Sequence, residues 1–132
     1  MGYCMNMSES RFGIAADKID EAFEALKKLA KEKEYMSWVD LDWILEEAKT
    51  FSEAMEEFRW QVEIDDDGDV NGISFLGEKF ANDDDYIFEA LAPFVKSGSY
   101  IEMNGEDGAI WRWAFRKGEF KEIYPEISWR WD

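Results

Sequence analysis

The stretch YIEMNGEDGAIWRWAFRKGEFKEIY, residues 100–124, holds the clearest structural pattern in the sequence. In its middle, Trp111, Trp113 and Phe115 occupy alternate positions, as they would in a β-strand with one apolar face. The strings NGEDG and KG are typical of tight turns and divide the stretch into three segments. We therefore expect three consecutive antiparallel strands, at residues 100–103, 110–115 and 119–124.

The segment before these strands predicts a helix. Ile87, Leu91 and Val95 recur at helical spacing, and Asn82 or Asp83 is placed to cap the first turn. The string SG that follows suits the left-handed backbone at which many helices end.

A β-hairpin is predicted in the middle of the chain. Trp60, Val62 and Ile64 alternate with polar residues, the string DDDGDVNG supplies a turn, and the alternation resumes at Ile73. Residues 3–14 alternate loosely and predict a first strand.

Three helices are predicted between the first strand and the hairpin. From residue 17, apolar residues recur every three or four positions, with lysines on the opposite face. Asp40 is placed to cap a short second helix. Thr50 followed by Glu53 has the spacing of a capping box and predicts the start of a third.

These elements predict the α+β class, with residues 1–132 as a single domain. Ile127, Trp129 and Trp131 continue the alternation and predict a last strand. We expect a mostly antiparallel sheet of about five to six strands, with three to four helices packed on one face.

Composition excludes several functions. With 31 acidic and 15 basic residues the net charge is −16, which disfavours direct binding to nucleic acid or to an anionic membrane. The sequence has no histidine, which excludes histidine-dependent catalysis. It has one cysteine, so an intrachain disulfide is excluded, and the two features together exclude the common zinc sites. We expect no catalytic residues, metal or cofactor. Without a signal-peptide pattern or a long apolar run, a cytoplasmic location is expected.

The negative charge is concentrated in residues 63–107, which hold thirteen acidic and two basic residues. The acids fall in three segments that predict turns or a helix start. One hypothesis is that they form a surface that imitates nucleic acid and binds a basic groove on a partner protein. The alternative is a solvated acidic rim that only confers solubility. The candidate partner-binding residues are Asp65, Asp66, Asp67, Asp69, Asp83, Asp84, Asp85, Glu106 and Asp107.

The string EIDDDGDVNGIS partly matches a calcium-binding loop. Its twelfth position is Ser74, where such a loop needs a bidentate glutamate, and its flanks predict strands instead of helices. An ordinary Asp-Gly hairpin turn is therefore expected.

The C-terminal strands combine tryptophan with arginine. In one interpretation the tryptophans fill the core and the arginines pair with acidic residues on neighbouring strands. In the other, these side chains form a platform on which a base or nucleotide stacks. The candidate ligand or anchor residues are Trp111, Arg112, Trp113, Arg116 and Trp129.

Three parts of the chain resemble a family of small acidic proteins encoded by phages and prophages. They are the opening GYCMNMSESRFGI, the middle strings SWVD and EEAKTFSEAMEEFRW, and the later strings FLGEKF and FEALAPFVKSGSYIEMNGEDGAIWRWAF. The recurring residues are Gly2, Tyr3, Ser10, Phe12, Trp38, Gly105, Glu106, Asp107, Gly108, Trp111 and Trp113. No catalytic role attaches to them. The resemblance implies a phage context, in which many short acidic proteins bind and disable host machinery.

The first hypothesis is thus a non-enzymatic inhibitor that acts in the bacterial cytoplasm. It would bind a host protein that handles nucleic acid, such as a Cas effector, without contacting nucleic acid or membrane. The second is a small-ligand or nucleotide-binding module that uses the tryptophans and arginines of the C-terminal strands. A structural phage protein is the third. A monomer and a homodimer are both compatible with the sequence.

Overall fold

The computed structural model describes residues 2–81 and 83–131. Within them the structure has six strands and four helices. In chain order these are β1 (Met5–Arg11), α1 (Ile19–Glu32), α2 (Leu41–Glu46), α3 (Phe51–Glu57), β2 (Trp60–Ile64), β3 (Val70–Phe75), α4 (Asp84–Leu91), β4 (Tyr100–Gly105), β5 (Ile110–Arg116) and β6 (Glu119–Ile123). The predicted α+β class is confirmed.

Four strands form one antiparallel sheet, in the order β1-β4-β5-β6. In β5, Trp111, Trp113 and Phe115 are buried, whereas Ile110 and Arg116 at the two ends are exposed. Because side chains alternate across a strand, one face of the sheet lines the core and the other does not. The alternation that predicted β5 is confirmed.

The hairpin of β2 and β3 is a separate two-stranded sheet that lies beside β1. Beyond the two ends of β1, Ile14 pairs with Val70 of β3, and Cys4 pairs with Lys79, which follows β3 in the chain. β3 therefore runs antiparallel to β1. The turn between β2 and β3 lies at the Arg11 end of β1, and the chain that follows β3 lies at the opposite end.

The helices cover the inner face of the four-stranded sheet. Phe88 of α4 lies against Trp113 of β5, with ring centroids 5.3 Å apart, and Trp60 of β2 is 5.1 Å from Phe88. Leu26 of α1 is fully buried in the same cluster. Large aromatic side chains thus tie strand, hairpin and helix together, since each removes a large apolar area from water.

The predicted caps of α2 and α3 are present. The Asp40 carboxylate accepts the backbone N–H of Trp43 at 3.0 Å. The Thr50 hydroxyl accepts that of Glu53 at 3.1 Å, and the Glu53 carboxylate accepts the backbone N–H of Lys49 at 2.8 Å. These bonds satisfy N–H groups that have no partner within the helix, which is why the two helices begin where they do.

The start of α4 differs from the prediction. Asp83 precedes the helix, but its carboxylate accepts the backbone N–H of Ser37 at 2.8 Å and not one from α4. Asn82, the other predicted cap, lies outside the described residues. Asp83 therefore connects α4 to the loop before α2.

Two predicted elements are shorter or missing. α4 ends at Leu91, followed by a single 3-10 turn at Ala92–Phe94, because Pro93 has no N–H with which to continue the helix. The predicted last strand is absent. Residues 124–131 have no regular secondary structure, and Trp129 is 94% exposed.

The outer face of the four-stranded sheet is called the open face here. Cross-strand partners point to the same side of a sheet, so the pairing register identifies its members. They are Asn6, Glu9, Arg11, Tyr100, Glu102, Asn104, Ile110, Arg112, Ala114, Arg116, Glu119, Lys121 and Ile123. None of the helices in residues 2–81 and 83–131 combines the length and the apolar character needed to cross a bilayer.

Candidate functional site

The turn between β2 and β3 holds four of the predicted aspartates. Asp65 Oδ1 accepts the backbone N–H groups of Asp67 at 3.0 Å and Asp69 at 3.1 Å. Asp69 Oδ1 accepts the N–H of Ala16 at 2.7 Å. Asp66 and Asp67 are exposed, and their carboxylates make no hydrogen bond within the described residues. Asp65 and Asp69 thus build the turn, and the other two point their charge into solvent.

This turn is an Asp-Gly hairpin turn, as expected. Gly68 has φ of 86°, which glycine adopts without strain. Ser74, at the twelfth position of the calcium-loop pattern, lies in β3 opposite Gln61. Among residues 2–81 and 83–131, no three Cys, Asp or Glu side chains are grouped so that they could hold a metal ion.

The hairpin turn packs against the start of the helical layer. A Cβ on Gly68 would lie 3.4 Å from the Ala16 Cβ, so the acids that follow Ala16 are close to those of the turn. Lys18 and Lys96 lie in the same region, and the Lys96 ammonium is 3.9 Å from the Asp69 carboxylate. The exposed acids here are called the tip patch, comprising Asp17, which follows Ala16 directly, with Asp66 and Asp67 of the turn.

Asp84 is not part of an acidic surface, contrary to the prediction. It is 2% exposed, and its carboxylate accepts the Trp60 indole N–H at 3.0 Å and the Arg59 guanidinium at 3.2 Å. Burial raises the pKa of Asp84 to about 6, although both donors oppose the shift. Asp85 is exposed, and partial desolvation, followed by the nearby Glu122, raises its pKa.

Glu106 and Asp107, in the turn between β4 and β5, accept hydrogen bonds from residues 3 and 4 near the N-terminal end. Glu106 Oε1 accepts the backbone N–H of Cys4 at 2.7 Å. Asp107 accepts the Tyr3 hydroxyl and the backbone N–H of Ala109, and the Tyr3 bond lowers the pKa of Asp107. Both acids are exposed, but their hydrogen bonds indicate a structural role.

The three predicted acidic segments do not form one surface. The hairpin turn lies at the Arg11 end of β1, whereas Glu106 and Asp107 lie at the Met5 end, because Met5 pairs with Gly105. β1 has seven residues and separates the two groups by about 20 Å, at roughly 3.3 Å per residue. Of the predicted aspartates, Asp66, Asp67 and Asp85 are exposed, and Asp66 and Asp67 are the two that lie in the tip patch.

The two central tryptophans of β5 are in the core and are therefore not surface anchors. Trp113 is fully buried and its indole N–H donates to Glu122 at 3.0 Å. Trp111 is also buried, and its indole N–H has no partner within the described residues. This geometry favours the interpretation in which tryptophans fill the core.

Arg112 is held by carboxylates, as the core interpretation expects. Its Nε donates to Glu102 at 2.9 Å, and an Nη atom lies 3.8 Å from Glu9. The guanidinium also lies over the Tyr100 ring, 4.3 Å from the centroid. The Arg112 bond lowers the pKa of Glu102. Arg116 is exposed and has no carboxylate within 4.0 Å in the described part of the chain.

Exposed aromatic residues lie where the strand pattern did not place them. Trp129 is exposed as a candidate anchor must be, but in an irregular segment. Trp38 is 59% exposed with φ of 60°, and the Arg59 guanidinium is 5.1 Å from its ring centroid. The one sequence signal for Trp38 is an aromatic residue in the short connector SWVD between two helices.

The open face differs in charge from the rest of the molecule. It carries four cations, Arg11, Arg112, Arg116 and Lys121, and three carboxylates, Glu9, Glu102 and Glu119. Its formal charge is therefore +1, so the remainder of a chain of net charge −16 carries −17. Sequence inspection alone missed Arg11, Tyr100 and Lys121 as neighbours of Arg112 and Arg116, because only the strand register brings them together.

No family model, curated protein or solved structure matched this chain.

Proposed function

We propose that the protein is a non-enzymatic inhibitor of phage type, which binds a bacterial protein that handles nucleic acid. The tip patch would occupy a basic, phosphate-binding groove of that partner and so compete with nucleic acid. A Cas effector complex is the most concrete target class. The protein itself would not contact nucleic acid.

The segregation of charge between the two sides of the molecule carries this proposal. The open face carries +1 and the rest of the chain carries −17, so the excess of negative charge lies outside the open face. Such a distribution steers the anionic part of the molecule towards a cationic groove and raises the rate of association. A uniformly solvating acidic coat would not require a neutral to basic sheet face.

The hydrogen bonds that fix the hairpin turn also support the tip patch as the binding surface. Asp65 and Asp69 fix the turn through three hydrogen bonds to backbone N–H groups. Asp66 and Asp67 are therefore presented from a preorganised loop, and little conformational entropy is lost when they bind.

The test compares two charge-reversed variants of the full chain. The first is D66K with D67K, and the matched control is E46K with E47K, which makes the same charge change at exposed positions at the end of α2. The tagged proteins are used to retain partners from bacterial lysate at low and high salt. Retained proteins are identified by mass spectrometry, and affinity for each is measured by calorimetry at two salt concentrations.

We expect a nucleic-acid-binding protein that is retained at low salt, lost at high salt and displaced by added duplex DNA. D66K with D67K should weaken its affinity by at least about tenfold, and the control by less than about threefold. Equal losses in both variants would contradict a role for the tip patch. Unchanged affinity in D66K with D67K would contradict mimicry by this surface.

Of the three tryptophans predicted as anchors, Trp111 and Trp113 are buried and Trp129 is exposed. Buried aromatic anchors dominate many protein interfaces, and an exposed tryptophan gains most from burial against a partner. W129A is therefore included in the same calorimetric series. We expect it to lose affinity for the partner, and unchanged affinity would contradict a role for Trp129 as an anchor.

A further inference from the structure

The open face contains a hollow of about 600 Å³ beside the middle of β5. Ala114 forms its floor, between Tyr100 on β4 and Lys121 on β6 in one cross-strand row. Gly98, just before β4, leaves open space at one end of the hollow, since nothing lies within 4 Å of a Cβ placed there. Two small residues thus create a depression on a sheet face whose other side chains are long.

Cations without carboxylate partners surround this hollow. Arg116 and Lys121 line it, and neither has a carboxylate within 4.0 Å in residues 2–81 and 83–131. A neighbouring hollow of about 220 Å³ shares Gly98 and is lined by Arg11, which also has no carboxylate within 4.0 Å in the described residues, and by Lys96, which lies 3.9 Å from the Asp69 carboxylate. The chain has 31 acidic and 15 basic residues, so most cations could find a carboxylate partner. Cations without such a partner beside one hollow are therefore a distinctive feature of this face.

Arg112 supplies a flat surface at the same hollow. One side of its guanidinium is covered by the Tyr100 ring, while Glu102 and Glu9 hold its nitrogens. The side chain remains 41% exposed. A guanidinium plane fixed in this way is a preorganised surface on which a nucleobase can stack. Its charge is already neutralised, so it is less suited to holding a phosphate.

We propose that the open face binds a nucleoside polyphosphate. The phosphates lie at the Gly98 end of the hollow, where Arg116 and Lys121 line it, and the base stacks on the exposed side of Arg112. Ala114 is small enough for the ligand to approach the sheet. This site is separate from the tip patch and does not depend on the function proposed above.

Two carboxylates oppose the ligand and set the expected conditions. Glu119 lines the hollow opposite Arg116, and Asp69 lies 3.9 Å from the Lys96 ammonium. Their repulsion lowers the affinity for phosphate. Because salt screens the attraction between the phosphates and the cations, we expect binding to weaken as the salt concentration rises.

Calorimetry of the full-length chain with ATP, adenosine and pyrophosphate tests the proposal. Wild type should bind ATP with Kd below about 1 mM, pyrophosphate more weakly and adenosine weakest. R116A with K121A should weaken ATP and pyrophosphate by at least about tenfold each. R112A should weaken ATP but change pyrophosphate by less than about threefold, because the base and not the phosphate contacts this residue.

The matched control is K31A with K49A, which removes two exposed cations away from the open face. It should bind ATP as wild type does, and circular dichroism should show that every variant keeps the wild-type fold. No ATP binding up to millimolar concentration would overturn the proposal, as would wild-type binding by R116A with K121A. Pyrophosphate binding as tight as that of ATP would overturn the assignment of a nucleotide.

The outcome is distinguishable from that of the inhibitor proposal. D66K with D67K changes the tip patch and should leave ATP binding intact, whereas R116A with K121A should leave protein partner binding intact. A variant pair that fails in both assays would contradict the assignment of two separate surfaces.

Discussion

At the scale of the residue, aspartates that look alike in the sequence have different roles. Asp84 and Asp85 are adjacent, yet Asp84 lies under Trp60 and Arg59 while Asp85 is exposed. The string DDD says only that charge is present. Which carboxylate is buried depends on the side of α4 that faces the hairpin, and that is decided by packing.

The carboxyl group of Asp84 makes the stability of the folded protein depend on pH. Its pKa is about 6 in the folded protein against the usual value of 3.8, so between these values the folded state binds the proton more tightly than the unfolded chain does. The contribution of Asp84 to the free energy of unfolding therefore falls as pH rises from about 4 to 6. The total decrease is up to about 3 kcal/mol, at roughly 1.36 kcal/mol per pKa unit. Above pH 6 its contribution is constant.

D84N should remove this slope, because an amide does not ionise. The measurement is urea unfolding at intervals between pH 4 and 7 for wild type and D84N. D66N, which changes an exposed carboxylate, should keep the wild-type slope. If D84N and wild type have parallel profiles, the carboxylate is not the source of the dependence.

At the scale of the element, the turn of the β2–β3 hairpin contains aspartates of two kinds. Asp65 and Asp69 stabilise the turn through hydrogen bonds, whereas Asp66 and Asp67 are exposed to solvent. D65A should lower the free energy of unfolding by about 1–2 kcal/mol, because two backbone N–H groups lose their acceptor. D66A should change it by less than about 0.5 kcal/mol, as an exposed side chain without partners. Urea unfolding at neutral pH measures both, and equal effects would contradict this division of roles.

Local signals predicted the elements whose hydrogen bonds close within a few residues. Asp40 and Thr50 cap their helices because the acceptors and the N–H groups are three residues apart. Ile110–Arg116 is a strand because its alternation matches a half-buried surface. The same alternation in residues 127–131 produced no strand, since a strand needs a partner and the pattern cannot supply one.

At the scale of the whole molecule, the C-terminal segment is separate from the core. Trp129 and Trp131 are almost fully exposed. W129A with W131A should therefore leave the free energy of unfolding within about 0.5 kcal/mol of wild type. It should also remove the tryptophan fluorescence that acrylamide quenches most readily. A loss of more than about 1 kcal/mol would mean that the segment packs against the fold or a second copy.

The distribution of charge is also a property of the whole molecule. Arg11 and Lys121 are far apart in the sequence, yet they share one row across the open face with Tyr100 and Ala114. The two acidic turns, in contrast, both fall within the acidic segment 63–107 but lie at opposite ends of β1. Linear charge counts therefore predicted the excess of negative charge but misplaced its surface.

The sequence alone predicts the α+β class, the order of the elements from β1 to β6, and the caps of α2 and α3. It also places Trp111 and Trp113 on the same face of β5, but it leaves open whether that face is buried. These depend on period, spacing and turn chemistry, which act over a few residues. Only the tertiary structure decided that Asp84 is buried, that Asp65 and Asp69 build their turn, and that unpaired cations converge at Ala114. Each of these depends on contacts between segments distant in the chain, whose partners and register no local pattern specifies.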